Sequence, residues 1–147
     1  MSSELSGTIL TPADLKKMAE QIENAKAQEA LAKQKALEEQ QDELRREFME
    51  REIREDALRR VNNAIRHAVE AGQSEVMLFK FASAFCTDKG RAINNFDPSW
   101  PDTLTGFARK AYDAYLVDLE PVGYKMRAQI LDYPDGNLGD AGLFLTW

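Results

Sequence analysis

The sequence is short of several things, and each shortage excludes something. Glycine and proline are missing from residues 13–71, a run of 59 positions, so nothing in that stretch stops a helix. Aromatic residues are nearly missing from the same half: Phe48 stands alone before Gly72 and the other 12 of the 13 follow it. A large aromatic core therefore belongs to the C-terminal half. Cysteine occurs once, at Cys86, which forbids an intramolecular disulfide and is compatible with a reducing compartment. Histidine also occurs once, at His67, so no two-histidine metal site can be built within one chain. Positive charge is in deficit, with 19 Lys+Arg against 25 Asp+Glu and a net charge of −6. A nucleic-acid binder that works by bulk electrostatics needs the opposite balance. The longest apolar runs are four residues, as at 76–79, far below the roughly 20 that span a bilayer. Residues 1–5 have neither the basic nor the apolar region of a Sec-type signal, so a cytoplasmic location is expected, with export by a non-Sec route left open. No glycine-rich dinucleotide or Walker pattern occurs, and no cofactor or metal is expected.

What is present divides at Gly72. Residues 1–72 carry twelve Glu and three Asp, whereas 73–147 carry two Glu and eight Asp. Glu suits helix interiors, while Asp competes for the backbone and collects at caps and turns. The long helical stretch opens on Thr11 as N-cap, Pro12 at the first helical position and Asp14 in the first turn, where a negative charge favours the positive end of the helix dipole. Gly72 supplies the stop. Five acid-to-arginine pairs at i,i+4 (Asp42–Arg46, Glu47–Arg51, Glu50–Arg54, Glu55–Arg59, Asp56–Arg60) lie along it, together worth about 2 kcal/mol of local helix stability.

The apolar period of this helix bears on pairing. Leu15, Met18, Ile22 and Ala25 follow 3-4-3 spacing, and a second register runs through Leu37, Gln41, Leu44, Phe48, Arg51, Glu55, Leu58, Asn62, Ile65 and Val69. A stutter-like offset near Lys33 separates the two registers. Polar residues interrupt the second one, so the pattern is that of a weak coiled coil. Leu15, Met18, Ile22, Leu37, Leu44 and Phe48 are the candidate interaction residues, and a homodimer or a helical protein partner is the expected company. A helical hairpin folded at 40–42 is the competing arrangement, but it lacks any turn residue.

The C-terminal half reads as one small domain. Residues 75–82 form a strand with Met77, Phe79 and Phe81 on one face and Val76 and Leu78 on the other. A polar stretch with a short helix near 89–94 follows, then a helix over 101–119 and a second strand over 124–132. Pro134, Asp135, Gly136 and Asn137 make a turn, and 143–147 a final strand whose Trp147 anchors the chain end in the core. The fold class expected is α+β: a long N-terminal, coiled-coil-like helix followed by a small two-layer domain with a three-stranded mixed sheet, in the order α-β-α-β-β. The first two strands would be parallel if adjacent. The expected division is a disordered 1–10, a helical arm over 11–56 and a compact domain over 57–147 whose first helix continues the arm.

Three constellations bear on chemistry. Cys86, Lys89 and Arg91 place a thiol and two cations just after an apolar strand, as an anion-binding or catalytic loop would. The spacing is one residue short of the cysteine phosphatase loop, however, and Phe85 stands where histidine would precede the cysteine. A small buried cysteine, with Thr87 or Asp88 capping a short helix, is the plainer account. Asp132, Asp135, Asn137 and Asp140 gather oxygen ligands but lack the calcium-loop spacing. Arg109, Lys110, Lys125 and Arg127, with Gln129 beside them, form a local basic set; solvated helix and sheet faces explain it, with an acidic partner or nucleic acid as the alternative. The sequence thus points first to a non-enzymatic interaction or oligomerisation module. Second comes a small ligand- or anion-binding, even catalytic, domain using Cys86, Lys89 and Arg91, and third a bacterial secreted effector or its chaperone.

Overall fold

The computed structural model describes residues 9–147, so most of the expected disordered stretch 1–10 lies outside the described residues. The elements in chain order are α1 (Pro12–Glu50), α2 (Ala57–Glu70), β1 (Glu75–Ala82), the four-residue α3 (Arg91–Asn94), α4 (Gly106–Asp118), β2 (Lys125–Ile130) and β3 (Asp140–Thr146). The α+β class and the long N-terminal helix stand as read from the sequence. The chain divides into two compact units, one ending at Leu44 and the other Arg45–Trp147.

The first unit is nearly all helix. Thr11 caps α1 as its residue type demands: its hydroxyl accepts from the Asp14 N–H at 3.2 Å, and the Asp14 carboxylate accepts from the Thr11 N–H at 3.0 Å. This reciprocal box uses Asp where Glu is usual, and the Thr11 N–H is the main reason the Asp14 carboxyl lies below its ordinary range. Further along, Gln34 bonds Glu38 at 3.2 Å and Lys33 meets Glu29 at 3.6 Å, both at i,i+4. No side chain of α1 is buried. The helix runs unbroken through 40–42, so no hairpin forms there.

The second unit corrects one expectation at its start. The helix does not continue to residue 71: it ends at Glu50 and resumes as α2 at Ala57. The cause lies some sixty residues away in sequence. The Lys110 ammonium of α4 donates to the carbonyls of Met49 (3.3 Å) and Arg51 (2.9 Å) and to the Glu52 carboxylate (2.9 Å). It occupies carbonyls that the next helical turn would have used. The Arg51 guanidinium lies 4.1 Å over the Phe107 ring. Gly106 sits so close that a Cβ there would come within 2.9 Å of both the Phe48 ring and the Phe48 carbonyl oxygen. Arg54 bonds Asp56 at 3.0 Å across the bend, which holds the Asp56 carboxyl low. Downstream, Gly72 ends α2 as foreseen. With φ +77° it lets the Gln73 and Gly72 amides return to the Ala68 and Val69 carbonyls at 2.8 and 2.9 Å, a Schellman closure.

The sheet order is β1-β3-β2, antiparallel throughout. The expected mixed sheet is therefore corrected: β1 and β2 would be parallel if adjacent, but β3 inserts between them. As the central strand, β3 has no solvent edge, and its Ala141, Leu143 and Leu145 are fully buried. Ala141 and Leu143 meet Phe81, Ala128, Ile130, Ile93, Leu104 and Ala108 in the core. The faces of β1 also differ from strict alternation. The register slips between Met77 and Phe79, so Leu78 is an extra, bulged residue. Val76, Phe79 and Phe81 pair with the inward residues of β3, while Met77 and Lys80 pair with Phe144 and Gly142. The bulge on one edge strand and the charged Lys125 and Arg127 on the other are the usual means of making sheet edges unsuited to further pairing.

Other boundaries moved for local reasons. The helix expected from 101 begins at Gly106, after a 3₁₀ turn (Trp100–Thr103) and an extended Thr105, whose hydroxyl donates to the Phe85 carbonyl. β3 starts at Asp140 because the Asp132 carboxylate accepts from its N–H at 2.7 Å. Trp147 is held at the margin rather than in the core: it is 41% exposed, stands edge-on to Tyr124 at 6.2 Å, and donates its N–H to Ser74.

Candidate functional site

Spacings of three and four residues place Leu15, Met18 and Ile22 on one side of α1. They are 52, 45 and 54% exposed. Leu37 and Leu44, in the second register, are 62 and 46% exposed. Full burial of a Leu, Ile or Met side chain contributes roughly 1.5–3 kcal/mol, so covering the exposed half of each yields about 1 kcal/mol. Five residues on each of two helices would give about 10 kcal/mol gross, against an association cost of about 4–15 kcal/mol. The stripe is thus suited to weak association.

Phe48, the sixth candidate, has a different setting. It belongs to the second unit, is half-buried, and lies 5.5 Å from the Phe81 ring and 5.0 Å from that of Phe85. Arg45, one turn earlier, covers the outer face of Phe85 at 5.3 Å and donates to the Ala84 carbonyl at 3.2 Å. Together they clip the Arg45–Glu50 turns onto the domain.

The Cys86 segment takes the plainer form. Cys86 is buried, and burial pushes its thiol up to about 11, with the Thr103 hydroxyl opposing and Asp88 adding to the rise. A nucleophilic cysteine needs the opposite shift. The amides that a bound anion would use are already engaged: Gly90 and Ala92 donate to the two Asp88 carboxylate oxygens at 2.9 and 2.8 Å. Lys89 and Arg91 are both exposed on either side of Gly90. His67 is exposed on α2, 3.8 Å from Glu70. The basic residues are dispersed over separate duties. Arg109 serves the Pro101 carbonyl and Asp113, Lys110 the end of α1, and Arg127 Glu75 and Gln129.

Sequence reasoning missed a cleft of about 490 Å³ in the second unit, walled by Ile53, Val61, Phe79, Phe107, Tyr115 and Met126, with Arg51, Arg60 and Asp118 among its polar residues. The Tyr115 hydroxyl is spent on the Tyr124 carbonyl at 2.8 Å, so its ring is what the residue offers to the cleft. Phe107 and Tyr115 were legible as one helix face. Their opposite wall was not, because it comes from the bend that Lys110 imposes. No family model, curated protein or solved structure gives a match to this chain.

Proposed function

We propose that this chain is a non-enzymatic interaction module that associates with a second copy of itself through the apolar face of α1. The observation that carries this is a helix of 39 residues with no buried side chain and a spaced row of Leu15, Met18, Ile22, Leu37 and Leu44 left about half exposed. Such a row costs solubility unless a partner helix covers it. The anion-binding alternative has less support, since Cys86 is buried and Asp88 occupies the loop amides. Sedimentation equilibrium of the full chain at tens of micromolar tests the proposal. Association is expected, with its loss in an Ile22→Glu, Leu37→Glu double variant of unchanged helicity. A wild-type chain that stays monomeric would count against it.

A further inference from the structure

We propose that the Phe48 clip is exchangeable: in the self-associated form inferred above, the Arg45–Glu50 turns of one copy seat on the Phe81–Phe85–Gly106 surface of the other, and vice versa. The occupant is identified by the seat itself, which already holds this segment within one chain. A second copy offers the same ring, the same Arg45 and the same backbone, so the seat fits it equally well.

Three observations converge on exchange. The connector 51–56 has no Gly or Pro and is built from residues that a helix accepts. Its acids and arginines at i,i+4, Glu47–Arg51, Glu50–Arg54 and Glu55–Arg59, support one another most fully if the helix runs on through them. Leu44, Phe48 and Leu58 also keep one heptad register across the bend, with the polar Arg51 and Glu55 between them, so a straight helix would hold the three on one face. Against this local preference stand Lys110 on the Met49 and Arg51 carbonyls and Arg51 on Phe107. A straight connector in a lone chain would carry Phe48 away and bare Phe81 and Phe85. In a pair, the other copy's Phe48 covers them, so the straight form loses the Lys110 contacts, the Arg51–Phe107 contact and the Arg54–Asp56 bond, but not the Phe48 seat. Short hinges under opposing preferences favour such swaps.

The test uses the full chain with Cys86→Ser, tagged copies carrying Arg45→Cys mixed with untagged copies carrying Ala84→Cys, and a short bismaleimide linker. After the mixture is unfolded and refolded together, exchange predicts cross-links between tagged and untagged copies. Lys110→Ala is expected to raise their yield about three- to tenfold, the factor set by losing one solvent-exposed hydrogen bond. A Gly-Ser insertion after Glu52 is expected to lower it, because it interrupts the straight helix and lengthens the hinge. If the mixture gives no cross-link while a single chain carrying both cysteines cross-links within itself, exchange is wrong. An insertion without effect on the yield also overturns it. Dimers that depend on Ile22 and Leu37 but cross-link only within chains would leave the α1 association standing and remove exchange alone. Cross-links between copies that survive Ile22→Glu, Leu37→Glu would do the reverse.

Discussion

Leucine in the first unit and leucine in the second have opposite fates. Leu15, Leu37 and Leu44 of α1 stay about half exposed, whereas Leu143 and Leu145 of β3 are fully buried. The first unit is held by interactions of short sequence range: the Thr11–Asp14 box and i,i+4 pairs. The second is held by partners far apart in sequence: a central strand, Phe48 on Phe81, and Lys110 on the end of α1. Apolar residues at helical spacing therefore show where a helix has a face. They do not show that the chain itself supplies the cover.

The sharpest way to break this contrast is a pair of truncations. Leu143→Ala should cost about 2–5 kcal/mol in denaturant unfolding, while Leu37→Ala, read on the same transition, should stay within about 0.5 kcal/mol. Comparable losses at a concentration where the chain is monomeric would mean that α1 is buried in its own chain. Cys86 sharpens the contrast chemically. A thiol raised from 9.0 to about 11 carries about a hundredfold less thiolate at pH 8, so native alkylation should be slower than in the unfolded chain by at least that factor. Labelling at the denatured rate would place Cys86 at the surface. Because its folded value is raised, the stability linked to Cys86 is fully present below the unfolded thiol value and is lost as pH rises through about 11.

Gly106 comes next. Gly106→Ala places a side chain at φ +52° against the Phe48 carbonyl and should cost about 1–3 kcal/mol. Gly123→Ala, at φ +108° in open space, should cost about 1 kcal/mol. Equal effects would remove the close approach of α1 as a reason for this glycine. The smallest effect concerns Glu75, whose carboxyl is held low chiefly by the Arg127 guanidinium at 2.7 Å. Its folded value lies below the unfolded one, so its contribution is present above the ordinary carboxylate range and fades as pH falls through the lowered value. Glu75→Gln should lower the melting temperature slightly at neutral pH, with the difference from wild type shrinking in acid. A difference independent of pH would assign the effect to packing instead.

Legibility followed sequence range. The Thr11-Pro12-Asp14 start and the Gly72 stop were readable because a cap is completed within a few residues of itself. The α+β class was readable because the aromatics and alternating strands cluster after Gly72. The bend at 51–56 was not: its local sequence is helical, and Lys110 overrules it from α4. The bulge at Leu78 was also hidden, since strict alternation and a one-residue slip look alike until β3 supplies the register. At the Cys86 loop the burial of the thiol matched the plainer reading, but the cap did not: Gly90 starts the short helix, and Asp88 binds the Gly90 and Ala92 amides from two residues before it. The cleft was invisible because half its wall exists only after the bend.

By itself, then, the sequence determined the long helix, its capped start, its exposed apolar stripe and the helix stop at Gly72, all consequences of neighbours within a turn or two. Tertiary structure alone decided that β3 lies between β1 and β2, that the helix breaks before Ala57, and that Phe48 joins the core while Leu44 stays exposed. Those outcomes depend on which distant groups compete for the same carbonyls and the same apolar surface, and such competition is settled only when the chain has closed on itself.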